Sequence, residues 1–80
     1  MGDPRAGVGE RFGHAVRQLR EARGWSQERL ANCAELNRSY MGEIERAAAM
    51  PSLATAAKLA RALDVPLSHL ISRCESPVAD

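Results

Sequence analysis

Arg38, Ser39, Gly42, Glu43 and Arg46 recur at three- and four-residue spacing. At about 100° per residue they fall on one helix face, while Tyr40, Met41 and Ile44 turn inward or sideways. By type, this face suits nucleic-acid edges. A guanidinium donates to guanine O6 and N7, and a carboxylate accepts from a cytosine amine or orients the neighbouring arginine. Gly42 leaves the middle of the face without a side chain, so a backbone can approach a groove there. Its cost in a helix, about 1 kcal/mol relative to alanine, suggests a use.

The elements that position this face are legible from caps and apolar spacing. Ser26 precedes a stripe at Leu30, Ala31 and Ala34, and Asn37 precedes a second at Met41 and Ile44. Each is a capping residue at a helix start. Two amphipathic helices with so short a connection form a helix-turn-helix, whose second helix can lie in the major groove of DNA. Upstream, residues 1–9 read as a flexible arm. A first helix starts at Glu10, carries Phe12, Val16 and Leu19, and ends near Arg23 and Gly24. Trp25 follows as the apolar half of a staple.

Downstream, Pro51 disfavours helix at Met50 and so ends the third helix by that point. Ser52 caps a fourth helix from Leu53 to Leu63, with Leu53, Ala56, Leu59, Ala60 and Leu63 facing inward. Pro66 opens a fifth helix through about Ile71, and residues 73–80 read as a flexible tail. The expected architecture is all-α, one compact five-helix domain over residues 10–72.

Composition sets the limits. Eighty residues allow one domain with a modest core. Phe12, Trp25 and Tyr40 are the aromatic residues, so the core is aliphatic helix packing. No run approaches the roughly 18 apolar residues of a membrane span, and no secretory signal pattern is present. The expected location is cytoplasmic. Net charge is +1, weak support for a DNA partner, so any positive surface comes from segregation of charges. Cys33 and Cys74, with only His14 and His69 to supplement them, match no metal-ligand spacing. Neither histidine nor cysteine belongs to a nucleophile–base set, so no catalysis, metal or cofactor is expected. Nor is there room for a small-molecule effector module.

The order Phe12-Gly13, Val16-Arg17, Leu19-Arg20, Arg23 to Gln27, Leu30-Ala31, Leu36, Arg38-Ser39-Tyr40, Ile44-Glu45-Arg46 and Pro51-Ser52-Leu53 continues through Thr55, Lys58, Ala60, Ala62-Leu63, Val65 to Ser68 and Leu70. This pattern resembles the phage Cro/repressor type of helix-turn-helix, the xenobiotic-response-element family of bacterial regulators. The size is similar to that of restriction–modification controller proteins. The resemblance implies a lambda-repressor-like domain, bound as a homodimer to a two-fold operator in double-stranded DNA.

Site roles follow from the same resemblance. Arg38, Ser39 and Glu43 match base-reading positions. Gln27 matches a residue that bonds a phosphate and braces the recognition helix. Ser26, Arg17 and Arg46 are further phosphate candidates, and Tyr40 either packs or bonds a phosphate. Arg20 and Glu45 match a structural ion pair. Leu67, Leu70 and Ile71 form either a dimer surface or part of the monomer's own core.

Departures from the family pattern carry their own expectations. Glu35 and Asp64 stand where relatives prefer glycine. A positive φ at Glu35 costs about 1 kcal/mol or forces a different turn. Ala47-Ala48-Ala49-Met50 replaces a glycine and polar residues, and alanine's helix propensity suggests that the third helix runs on. Such a loop offers few phosphate contacts, each worth about 0.9 in the salt slope of binding. The alternative function is a protein–protein adaptor or antitoxin-like module using the same fold.

Overall fold

The computed structural model describes residues 7–75. Five helices follow one another: α1 (Val8–Ala22), α2 (Gln27–Cys33), α3 (Arg38–Glu45), α4 (Leu53–Ala62) and α5 (Leu67–Cys74), with no strand among the described residues. Side-chain caps open three of them. Ser26 Oγ accepts from the Arg29 N–H at 3.0 Å, Asn37 Oδ1 from Ser39 at 2.8 Å, and Ser52 Oγ from Thr55 at 3.1 Å. Each cap satisfies an amide that the helix itself leaves without a partner.

The ends of the domain differ from the expected limits. α1 begins at Val8 rather than Glu10, because the Glu10 carboxylate reaches back to accept from the Gly7 N–H at 3.0 Å and closes the first turn. The remainder of the expected arm, residues 1–6, lies outside the described residues. Pro66 is the N-cap of α5 rather than its first residue, and α5 runs on to Cys74. Leu70 and Cys74 share its buried face; the Cys74 thiol donates to the Leu70 carbonyl at 3.2 Å, and the Arg11 guanidinium donates to the Cys74 carbonyl at 3.4 Å. Burial raises the Cys74 thiol above its ordinary range, against a weaker opposing pull from Arg11. Cys33 is exposed. Residues 76–80 of the expected tail lie outside the described residues.

Phe12, Val16, Leu30, Met41, Ile44, Leu59, Leu63 and Leu70 form the fully buried centre. α1 packs against α3 and α5, α2 against α3 and α4, and α4 against α5. Gly13 makes the α1–α3 contact possible: a Cβ there would lie 2.5 Å from the Ile44 carbonyl oxygen and 2.7 Å from that of Glu45. Two expectations are corrected. Leu53 points outward at 68% exposure, since the first turn of α4 projects past the core. Leu70 is fully buried, so it belongs to the monomer core and not to a free dimer surface.

The first four helices end alike. In each, a residue of positive φ donates to the carbonyl three residues back, and the next residue donates five back. Gly24, Glu35, Ala47 and Asp64 hold that position, with φ of 71°, 59°, 62° and 59°. The five-back bonds are Trp25 to Arg20, Leu36 to Ala31, Ala48 to Glu43 and Val65 to Ala60, at 2.8–3.1 Å. Trp25, Leu36 and Val65 then pack on the core, the apolar contact that accompanies this closure.

α3 therefore does not run on into the alanines. Its double closure satisfies the last carbonyls, and Ala47 takes the left-handed conformation that glycine would adopt freely. The turn at Glu35 is likewise kept, with the glutamate strained in place. Ala47→Gly is expected to raise stability by about 0.5–1 kcal/mol, after allowance for the added freedom of the unfolded chain. Urea unfolding checks this; an unchanged midpoint would mean that Ala47 carries no strain.

Candidate nucleic-acid interface

α2 and α3 are joined through residues 34–37, where the positive φ of Glu35 reverses the chain and Leu36 anchors the turn on the core. Met41 and Ile44 bury the rear of α3 completely. The expected base-reading residues Arg38, Ser39 and Glu43 are all exposed on one outward face, as is Arg46, a phosphate candidate. Tyr40 lies at the edge, half-buried and packed on the core. The Asn37 cap places its oxygen at the start of α3, 2.8 Å from the Ser39 N–H and 3.3 Å from the Tyr40 N–H.

The far end of α3 is held by a polar knot. Arg20 grips Glu45 with two bonds, Nε to Oε2 at 2.7 Å and Nη2 to Oε1 at 3.0 Å, and donates a third to the Trp25 carbonyl at 2.8 Å. Gln27 Nε2 adds a bond to Glu45 Oε1 at 2.9 Å. The Glu45 side chain is only 3% exposed and that of Arg20 11%. The bond to Glu45 is the main cause of the raised Arg20 pKa, with desolvation opposing it. Residues from α1 and the start of α2 thus converge on one carboxylate of α3, and the α1–α2 connection holds Arg20 in place through the Trp25 carbonyl. Their effect is to set the angle at which α3 is presented.

Gly42 corrects an expectation. It does not leave a bare patch on the outward face, because it is itself covered. The guanidinium of Arg46 lies over it: a Cβ at Gly42 would be 3.0 Å from Arg46 Nη1 and 3.7 Å from Gln27 Oε1. Gln27 is correspondingly half-buried, with one amide hydrogen committed to Glu45. Arg17, a phosphate candidate, is exposed and pairs with Glu21 one turn along α1 at 3.1 Å. Ser26 is exposed, its oxygen engaged as the α2 cap.

Some contributors were not anticipated from sequence. Arg23 and Arg29 both stack on the Trp25 ring, at 4.7 Å and 4.9 Å from its centroid, and Arg23 also donates to the Leu63 carbonyl at 3.0 Å. Both arginines flank a tryptophan within four residues, which is a usable signal for cation–π stacking. The resemblance gave Gln27 a bracing role but not its partner: the bond to Glu45 joins residues 18 positions apart and has no local signal. Residues 47–52, between Arg46 and α4, expose Ala48 and Met50 and carry no cationic side chain. On α5, Leu67 is half-buried against the core and Ile71 is 40% exposed.

The fold is shared with known proteins. Residues 11–74 match the model of the helix-turn-helix domain family. The chain is 43% identical over 61 residues to the HTH-type transcriptional regulator SutR of Escherichia coli (strain K12), covering 76% of this chain. It spans only 34% of that regulator's length. It is 38% identical over 58 residues to the control protein C.SmaI of Serratia marcescens, covering 72% of this chain and 69% of that protein. Among solved structures, the restriction-modification controller protein C.AhdI from Aeromonas hydrophila matches with a TM-score of 0.75 and 46% identity. That match covers 76% of this chain and 92% of the other. With its capped α2, its tight turn and its outward-facing α3, the chain belongs to the helix-turn-helix domain family.

Proposed function

We propose that this protein is a sequence-specific DNA-binding transcriptional regulator that acts in the cytoplasm and inserts α3 into the major groove of a two-fold operator as a homodimer. The observation that carries this reading is the division of α3 into two faces. Met41, Ile44 and Glu45 lock its rear and end to the rest of the domain, while Arg38, Ser39 and Glu43 face solvent. A rigidly held helix with exposed hydrogen-bonding side chains is what base readout requires. Arg38 is assigned to guanine, Ser39 and Glu43 to adjacent base edges, and Gln27, Ser26, Tyr40, Arg46 and Arg17 to phosphates. The reading includes no catalytic step, no cofactor and no small-molecule effector.

The dimer surface in this reading is the outer side of α5 and the end of α4. A shallow groove there is lined by Ala57, Ala60, Val65, Pro66 and Leu67 together with the charged Arg61 and Asp64, and Ile71 supplies exposed apolar surface on the same helix as Leu67. A two-fold pair would set its recognition helices about 34 Å apart, one turn of DNA. The names of C.SmaI and C.AhdI as control or controller proteins support a regulatory role of this size.

The test is selection from random duplex DNA, in parallel with Arg38→Ala. The expected result is a two-fold symmetric motif that loses its preference at one base pair in the variant, a loss of about 1–3 kcal/mol of discrimination. Absence of enrichment at low salt overturns the reading. A second reading, a protein–protein module, is favoured by the exposed Met50 in a loop without cations. It predicts a tight protein complex without duplex affinity.

A further inference from the structure

Arg46 occupies the C-cap of α3, and side chains on a helix lean toward its N-terminus, over the preceding turn. The Arg46 guanidinium lies one helical turn back, over Gly42. The space that a Cβ at Gly42 would take is bounded by Arg46 Nη1 at 3.0 Å, Arg46 Cζ at 4.0 Å and Gln27 Oε1 at 3.7 Å. This is a seat with one polar wall. Gln27 is fixed in it by its own bond to Glu45 at 2.9 Å. A carbonyl oxygen, which only accepts, thereby borders the same small space as a guanidinium, which only donates.

The seat also explains a contradiction along α3. Gly42 shares a face with Arg38, Ser39 and Glu43, all exposed, yet it is buried. It sits mid-helix, where glycine is disfavoured relative to alanine. Nothing in the backbone demands it, since Gly42 has no positive φ, unlike Gly24. Only the Arg46 side chain and the Gln27 oxygen would meet a methyl group there. The buried carboxylate nearby is no competitor for the charge, because Glu45 is already bonded by Arg20 and Gln27. Among the described residues Arg46 has no ion pair.

We propose that Gly42 is a positioning residue: by lacking a side chain it seats the Arg46 guanidinium beside Gln27, as a fixed cation for one DNA phosphate at the joint between α2 and α3. This rests on the DNA-binding reading above. Holding the guanidinium against the helix removes part of the rotamer freedom that a long side chain otherwise loses on binding. It also holds the positive charge beside Gly42, near the middle of the outward face of α3. The loop that follows supplies no cation of its own, so this contact carries a larger share of the backbone grip.

The test is a double-mutant cycle of Gly42→Ala and Arg46→Ala on the full chain, measuring melting temperature and operator affinity across a salt series. A methyl at position 42 meets the movable tip of Arg46 and not backbone, so Gly42→Ala should melt higher, by about 4–8 °C. It should nevertheless bind about tenfold more weakly, as should Arg46→Ala, with each salt slope per half-site reduced by about 0.9. The double variant should bind no more weakly than Arg46→Ala alone. An equal further loss in the double variant would mean that the methyl blocks the groove directly, and overturns the role. So would unchanged affinity of Gly42→Ala, a lower melting temperature, or an unchanged slope with an altered base preference. If the wild-type protein binds no duplex at all, the DNA-binding reading itself fails, and this role with it.

Discussion

Arg20→Ala is expected to destabilise the domain by about 3–5 kcal/mol, because it leaves the Glu45 carboxylate buried without its counter-charge. Glu45 is 3% exposed, and water cannot replace two guanidinium bonds of 2.7 Å and 3.0 Å without opening the α1–α3 contact. Gln27 would remain as a donor to Glu45 Oε1, which is too little for a full charge. The bond from Arg20 to the Trp25 carbonyl would also be lost. For an 80-residue domain this is a large share of the total stability, which for small domains is about 5–15 kcal/mol. Urea unfolding measures it directly.

The same pair makes a second outcome informative. Replacing both partners, Arg20→Met with Glu45→Leu, should recover much of the loss, since an intact buried pair contributes little beyond an apolar pair of similar volume. The double variant should then fold but bind its operator poorly, because the Gln27 brace loses its acceptor and the end of α3 is no longer held. If Arg20→Ala proves as stable as wild type, the knot at Glu45 is not what sets the pose of α3.

Gly13→Ala is the second large effect, with an expected cost of about 1–3 kcal/mol or more. On propensity alone the change should stabilise α1 by about 1 kcal/mol. Contact reverses the sign. The new methyl would lie 2.5 Å from the Ile44 carbonyl oxygen and 2.7 Å from that of Glu45. Both are backbone atoms, and both belong to the last turn of α3. Relief requires α1 to lift from α3, which strains the Arg20–Glu45 bonds and loosens Phe12 and Val16 in the core. A higher urea midpoint for Gly13→Ala would show that the two helices are not in the close contact described. The opposite sign expected for Gly42→Ala makes the two glycines a matched comparison: one contacts fixed backbone, the other a movable side chain.

Much of the fold was legible because its signals are local. Ser26, Asn37 and Ser52 each close a bond to an amide two or three residues away, so composition and order suffice to find them. The apolar stripes of α1 to α4 follow from the helical period, and the outward set of Arg38, Ser39, Glu43 and Arg46 follows from the same arithmetic. The family pattern added Arg20 and Glu45, a pair 25 residues apart that no periodicity links. The positive φ at Glu35 was likewise implied by the family pattern, which prefers glycine at that turn position.

What tertiary structure decided has a common cause: an amphipathic stripe says which side of a helix is apolar, but not which part of it meets another helix. Leu53 and Leu70 were both apolar residues at helical spacing. One lies beyond the edge of the core and the other at its centre, because the depth of α4 against α2 and α5, and of α5 against α1, is set by packing. The helix-forming alanines after Glu45 were overruled because the carbonyls of Glu43 and Ile44 are satisfied by a closed turn, and Glu45 is held by Arg20 and Gln27. Cys74 is buried only because α1 and α5 pack together, with Arg11 bonded to its carbonyl. The sequence by itself determined where helices begin, which faces are apolar and which helix is offered outward. The assembled chain decided how deep each face sinks, where α3 stops and what covers Gly42, since those depend on atoms far apart in sequence that meet only after folding.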